Sequence, residues 1–195
     1  KIFLNKISIY FRREPMTENK KLRSLRLNKL RELYEKGDMS LVIPEAKNLF
    51  QKYSSGIAYN ILALAHKQQG KYQEAINLYE EILKDNPSNT LFLYNLGNIY
   101  YDSGRRADAE KCYRKALAIE PDAINAAVSL GNLLVSDAKL DEALLIFERL
   151  VNQLKTLSAE QLSDIYYRIA DIYSRKGPSY IDQAIEHYGL SDQPL

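Results

Sequence analysis

The chain has 195 residues, of which 46% are hydrophobic and 27% charged, with eight glycines and six prolines, a composition that excludes disorder and supplies a core for one domain. Its net charge of +2 is unevenly spread: residues 1–40 carry 11 Lys/Arg against 5 Asp/Glu, and residues 41–195 carry 16 against 20. That mildly acidic body does not suit a nucleic-acid surface, so no nucleic-acid partner is expected. A single cysteine, Cys112, excludes an internal disulfide framework and fits a reducing compartment, so a cytoplasmic location is expected.

Residues 1–15, "KIFLNKISIYFRREP", hold an apolar stretch broken by Lys6 and no small-residue cleavage site, which makes a poor signal peptide. Amphipathic patterning opens at Met16, so residues 1–15 read as a leader outside the fold. No apolar run approaches the ~18 residues that would span a bilayer, and no membrane partner is expected. Lys, Glu, Leu and Ala dominate and β-branched alternation is scarce, which predicts an all-α chain.

The predicted elements are pairs of apolar-periodic helices. Residues about 19–53 carry Leu30, Leu33, Gly37, Ala46 and Phe50, with four extra residues and Pro44 near the start of the second helix. Residues 56–89 contain "AYNILALAHKQQ" and "YQEAINLYEEILKD", joined at Gly70, which can take the left-handed conformation that ends a helix. Residues 90–123 repeat the arrangement. Residues 124–157 do so until Lys155 replaces the proline that stops the earlier units, so the second helix there is expected to run on. Residues about 163–190 carry Ala170, Tyr173, Gly177, Ala184 and Tyr188, with two extra residues in the "GPSY" turn.

A fixed period underlies these pairs. Ala63, Gly97 and Gly131 are spaced 34 apart, as are Ala75, Ala109 and Ala143, and Tyr79, Tyr113 and Phe147. Gly70, Gly104 and Ala138 share the spacing, and so do Pro87 and Pro121. Each column has a mechanical reason. Small residues mark where two helices press together, Tyr72, Ile76, Tyr79 and Leu83 supply the bulky stripe of the second helix in residues 56–89, and proline stops that helix. Gly97 costs helix propensity and gains close packing within its hairpin.

This pattern closely resembles the tetratricopeptide repeat. The family's Leu-Gly-x-x-Tyr run stands here as Leu96, Gly97 and Tyr100, its Ala-x-x-x-Phe as Ala109 and Tyr113, and its terminal proline as Pro121. The resemblance implies a solenoid: a right-handed superhelix of antiparallel helix hairpins, formed as one domain over residues 16–195, with first helices lining a concave face.

No catalytic chemistry is expected. The chain has no phosphate-binding glycine loop, dinucleotide fingerprint, His-Glu-x-x-His helix or Cys-x-x-Cys pair. His66 and His187 lie in different hairpins, and His66 takes a position where the family places a large ring. Neither a catalytic residue, a metal site nor a cofactor is expected, and the chain reads as no enzyme.

The concave face implied by the resemblance carries the candidate site. Asn60 comes first, then Tyr94, Asn95, Asn98 and Tyr101. Ser129 and Asn132 follow, and then Tyr167, Arg168 and Asp171. An exposed asparagine amide offers both a donor and an acceptor, the pair that holds a peptide group, and tyrosine adds a rigid amphipathic surface. Asn98 and Asn132 are 34 residues apart and occupy equivalent sites. The surface is similar to the asparagine-lined groove in the repeat domain of O-linked N-acetylglucosamine transferases. The ladder is partial, because the site equivalent to Asn95 holds Ile61, Ser129 and Arg168 in the other units. The other reading is that these asparagines make only local hydrogen bonds. A chaperone-type carboxylate clamp is set aside, since Asn60, Leu64, Asn125 and Ser129 stand where Lys, Asn, Lys and Arg belong.

The expected function is a protein-interaction module that binds an extended peptide or partner segment in this groove. The alternative is the recognition region of a larger enzyme, a glycosyltransferase, sulfotransferase or 2-oxoglutarate-dependent oxygenase. The last hairpin lacks the polar capping helix that closes most solenoids, so weak self-association through it is also expected.

Overall fold

The computed structural model describes residues 19–153 and 157–191. The described residues form ten α-helices and no strand. They gather into two compact units, one ending at Arg105 and the other beginning at Arg106. The expectations for residues 1–15, and for a second helix running on past Lys155, lie outside the described residues or at their edge.

In the first unit, α1 (Asn19–Glu35) and α2 (Met39–Tyr53) form one hairpin, α3 (Gly56–Gln68) and α4 (Tyr72–Asp85) a second, and α5 (Thr90–Asp102) follows. Each helix packs on the next, and α1 also packs on α3. Ala63 and Ala75 are fully buried where α3 meets α4, as the small-residue columns predict. Ile76, Tyr79 and Ile82 form the buried stripe of α4, while Leu83 is only half-buried.

At the turn after α3, Gly70 has φ +73. Its N–H donates to the Lys67 carbonyl at 2.8 Å, and the Lys71 N–H donates to the His66 carbonyl at 2.9 Å. These are the paired bonds of a Schellman cap, which satisfies carbonyls that a helix end leaves orphaned.

The second unit contains α6 (Arg106–Ile119), α7 (Ile124–Ser136), α8 (Leu140–Gln153), α9 (Ala159–Lys176) and α10 (Ile181–Ser191). Its α7–α8 turn has the same cap, with the Lys139 N–H donating to the Leu134 carbonyl at 2.9 Å. Here the left-handed position is held by Ala138, at φ +58. An alanine there bears a steric cost that the glycines avoid. Gly131 shows why its column is small: a Cβ would stand 2.5 Å from Phe147 Cζ. Gly97 is likewise buried in α5.

Two boundaries differ from expectation. Helix α9 begins at Ala159, a turn earlier than residue 163, because Ser158 and Gln161 form a capping box. Gly177, at φ +115 and ψ −177, leads into a 3-10 turn at Pro178–Tyr180 instead of a Schellman cap, and this turn absorbs the two extra residues.

Candidate peptide-binding surface

In the first unit the site is organised around one side-chain oxygen. Asn60 sits on α3, whose start is fixed by Ser55, the oxygen of which accepts from the Ala58 N–H at 3.4 Å. Asn60 Oδ1 accepts the Tyr79 hydroxyl of α4 at 2.6 Å and Nδ2 of Asn95 from α5 at 2.8 Å. One carbonyl oxygen thereby ties three helices together. Burial, before any other influence, pushes the Tyr79 hydroxyl well above its usual value, with the Asn95 amide acting in the opposite sense. Tyr79 thus stays a neutral donor at any physiological pH.

This geometry corrects one expectation. Asn95 does not face solvent: it is 8% exposed, and its amide nitrogen is spent on Asn60. The reason is that α4 delivers Tyr79 beneath the first-helix face, where Phe92 of α5 lies with its ring centroid 5.8 Å from that of Tyr79. Asn95 seals this layer.

Above it lies a groove of about 550 Å³, bounded by α1 and by the first turns of α3 and α5. Arg23, Leu27 and Arg31 line one wall, with Asn60, Ile57 and Leu91 among the residues opposite. Ile57 and Leu91 are 43% and 55% exposed, so apolar surface is open to a ligand. The rim is stiff, since Asn89 caps α5 by accepting the Phe92 N–H at 3.0 Å. Asn60 is the candidate residue that reaches this groove. With its oxygen doubly occupied, its two N–H groups are what it offers.

Tyr94 and Asn98 are half-buried on α5 and Tyr101 is exposed there, and none of the three lines the groove. The groove wall supplied by α1 was not among the expected site residues. Its signal was the spacing of Arg23, Leu27 and Arg31, four apart along one face of an amphipathic helix.

In the second unit, Arg168 of α9 donates through Nε to Asp164 at 2.9 Å and through Nη1 to Asn132 Oδ1 of α7. Asp171 is paired with Arg175 at 2.8 Å, and Tyr167 packs edge-on against Tyr188 with centroids 5.5 Å apart. Ser129 is half-buried and Asn132 exposed. The amide oxygen of Asn132 is therefore held by the protein's own arginine, as that of Asn60 is held by its neighbours. On α10, Ile181 and Ile185 stand exposed one turn apart.

His66 is half-buried on α3, and burial above all holds its imidazole below the usual 6.5. Glu74 raises it, and Lys71 and Lys47 lower it further. Among the described residues no group of three or more His, Cys, Asp or Glu could hold a metal ion, and no helix is long and apolar enough to cross a membrane.

The family model of the tetratricopeptide repeat matches residues 61–124 and 94–159, together half of the chain. The chain belongs to the tetratricopeptide repeat family. Among its tetratricopeptide relatives, the photosystem I assembly protein Ycf3 of Acaryochloris marina is 31% identical over 117 residues, covering 55% of this chain and 68% of that protein. The protein O-mannosyl-transferase F38B6.6 of Caenorhabditis elegans is 34% identical over 61 residues, which span 31% of this chain and 9% of that enzyme. A solved structure of MamA from Desulfovibrio magneticus shares the repeat fold, with a TM-score of 0.69 at 17% identity over 91% of this chain and 95% of that one. In repeat register, Asn60 and Tyr94 are equivalent, as are Ile61, Asn95 and Ser129, so no one amide position is filled in every tetratricopeptide unit.

Proposed function

We propose that this tetratricopeptide repeat protein is an interaction module that holds an extended peptide or partner segment on the face built by its first helices. The observation that carries the reading is the groove bounded by α1, α3 and α5, with Asn60 amide donors on a rigid support and open apolar walls. Tyr94, Asn98 and Tyr101 extend the candidate surface along α5. Ser129, Asn132, Tyr167, Arg168 and Asp171 form its counterpart in the second unit. Rigid aromatic and amide groups suit such a role because little side-chain entropy is lost when they bind. A cytoplasmic location rests on the cysteine count alone.

The test is a pair of charge insertions at exposed sites. The double variant Ile57→Lys, Leu91→Lys should abolish binding of peptides selected on the parent protein while leaving its thermal midpoint unchanged. Undiminished binding by the double variant overturns the groove as the site.

A second reading, that the chain is the recognition region of a larger enzyme, is favoured by the O-mannosyl-transferase relative, of which the matched repeats are a small part. Activity toward glycosyl donors in a longer form of the protein, lost on deleting residues 56–123, would support it.

A further inference from the structure

The residue columns that stack one hairpin on the next stand open at two places. Ile76 and Leu144 each follow the small alanine of a second helix. Both are buried, and their helices, α4 and α8, pack on the first helix that comes next. Ile185 follows Ala184 of α10 in the same way, yet it is 63% exposed. Helix α1 is the converse case. Leu25 stands twelve residues before Gly37, as Ala58 of α3 stands twelve before Gly70. Ala58 is fully buried, whereas Leu25 is 59% exposed.

Two contacts within the chain show how such faces meet. Lys176, just before Gly177, holds Asp141, two residues before Ala143, at 2.6 Å. Phe92, twelve residues before Gly104, lies with its ring centroid 5.8 Å from that of Tyr79, four after Ala75. Helices α1 and α10 carry the matching halves of both contacts. Lys36 stands just before Gly37 and Asp182 two before Ala184, while Leu25 takes the place of Phe92 and Tyr188 that of Tyr79. Lys36 and Asp182 are exposed, and neither side chain has an ion pair or hydrogen bond among the described residues. Charge agrees along the two faces. Helix α10 holds Asp182 and Glu186 and no Lys or Arg, whereas Lys21, Lys29 and Lys36 outnumber Glu32 on the Leu25 side of α1.

We propose that a second copy of this chain stacks its α1 on the outer face of α10, repeating between molecules the packing of α8 on α9. Leu25 of that copy meets Tyr188 and Lys36 meets Asp182. Between them Ile185 is covered by Leu33 and the stem of Lys29, whose charge stays in water. Apolar burial drives the association, and the ion pair fixes its register, because an exposed bridge contributes little energy alone. The contact is heterologous: it joins two different faces, one from each copy.

The experiment is sedimentation velocity on the full chain over a concentration series, with the surface variants Leu25→Glu and Ile185→Glu. The parent should associate as its concentration rises. Each variant alone should stay a monomer with the parent's thermal midpoint. Mixed in equal amounts they should form a one-to-one pair, because the Leu25 variant keeps a working α10 and the Ile185 variant a working α1. If either variant unfolds, Lys36→Glu and Asp182→Lys take their place: each should weaken association about threefold to tenfold, and the double variant should restore it. A parent that is monomeric at every concentration overturns the inference and leaves both faces to a different protein. Association that survives Leu25→Glu means that α10 pairs with itself, and it overturns the inference too, as do mixed variants that stay apart.

Discussion

The amide nitrogen of Asn95 lies 2.8 Å from the side-chain oxygen of Asn60, across the interface of α5 with the preceding hairpin. Because the Tyr79 hydroxyl shares that oxygen, the two asparagines are unequal in what their loss leaves behind. Asn95→Ala removes one donor and should cost about 1–2 kcal/mol. Asn60→Ala strands two buried donors and should cost about 2–4 kcal/mol. Urea titration of the two variants gives the order; equal costs would mean that the oxygen is not shared.

Gly131 offers a test of close packing with its own control. A Cβ there meets the Phe147 ring at 2.5–3.0 Å, whereas a Cβ at Gly189 meets nothing within 4 Å. Both glycines are helical, so alanine brings the same propensity gain, up to about 1 kcal/mol. Gly131→Ala should nevertheless destabilise by about 1–2 kcal/mol through overpacking, while Gly189→Ala should be neutral or stabilising. Adding Phe147→Leu should make Gly131→Ala less damaging than it is alone.

Ala138 stands, at φ +58, where three other units have glycine (Gly37, Gly70 and Gly104). Replacing it with glycine relieves the left-handed strain, partly offset by the freer unfolded chain. Ala138→Gly should therefore raise stability by about 0.5–1 kcal/mol. Chemical denaturation detects that change, and a loss of stability would show that the alanine methyl has a packing role.

His66 gives the fold a pH dependence of known sign. Its folded-state value lies below the unfolded 6.5, chiefly through burial, so the unfolded chain binds the proton more readily. Its contribution is fully present above pH 6.5 and is lost as the pH falls from there through the lower folded value. His66→Tyr, which restores a large neutral ring, should flatten the thermal midpoint between pH 7 and pH 5 relative to the parent. An unchanged slope would assign the dependence to other groups.

The 34-residue register made the hairpins, the small contact residues and the left-handed turns legible, because each is a local demand repeated in the sequence. Four things were not. The α1 wall of the groove escaped because the first hairpin carries four extra residues and drifts out of register. The first turn of α9 was hidden because its cap, Ser158 and Gln161, belongs to no repeat column. The burial of Asn95 was hidden because periodicity assigns a helix face, whereas exposure depends on how far a ring from the preceding unit reaches beneath it. In the second unit, the reach of Arg168 to Asn132 is a choice among many rotamers of a long side chain, and spacing does not encode it.

The doubly occupied oxygen of Asn60 makes the groove chemically one-sided at that point. An unconstrained asparagine can turn over to greet either an N–H or a carbonyl, but this one is pinned by Tyr79 and Asn95 and presents donors alone. On the proposed reading, a segment lying over it would be recognised through a carbonyl, and its own N–H would be ignored there. Scanning a bound peptide with N-methyl groups should thus leave that register untouched, while reducing the matching carbonyl to a methylene breaks the contact. The pinned amide would act as a reader of chain direction, since reversing the peptide exchanges the two groups it tells apart.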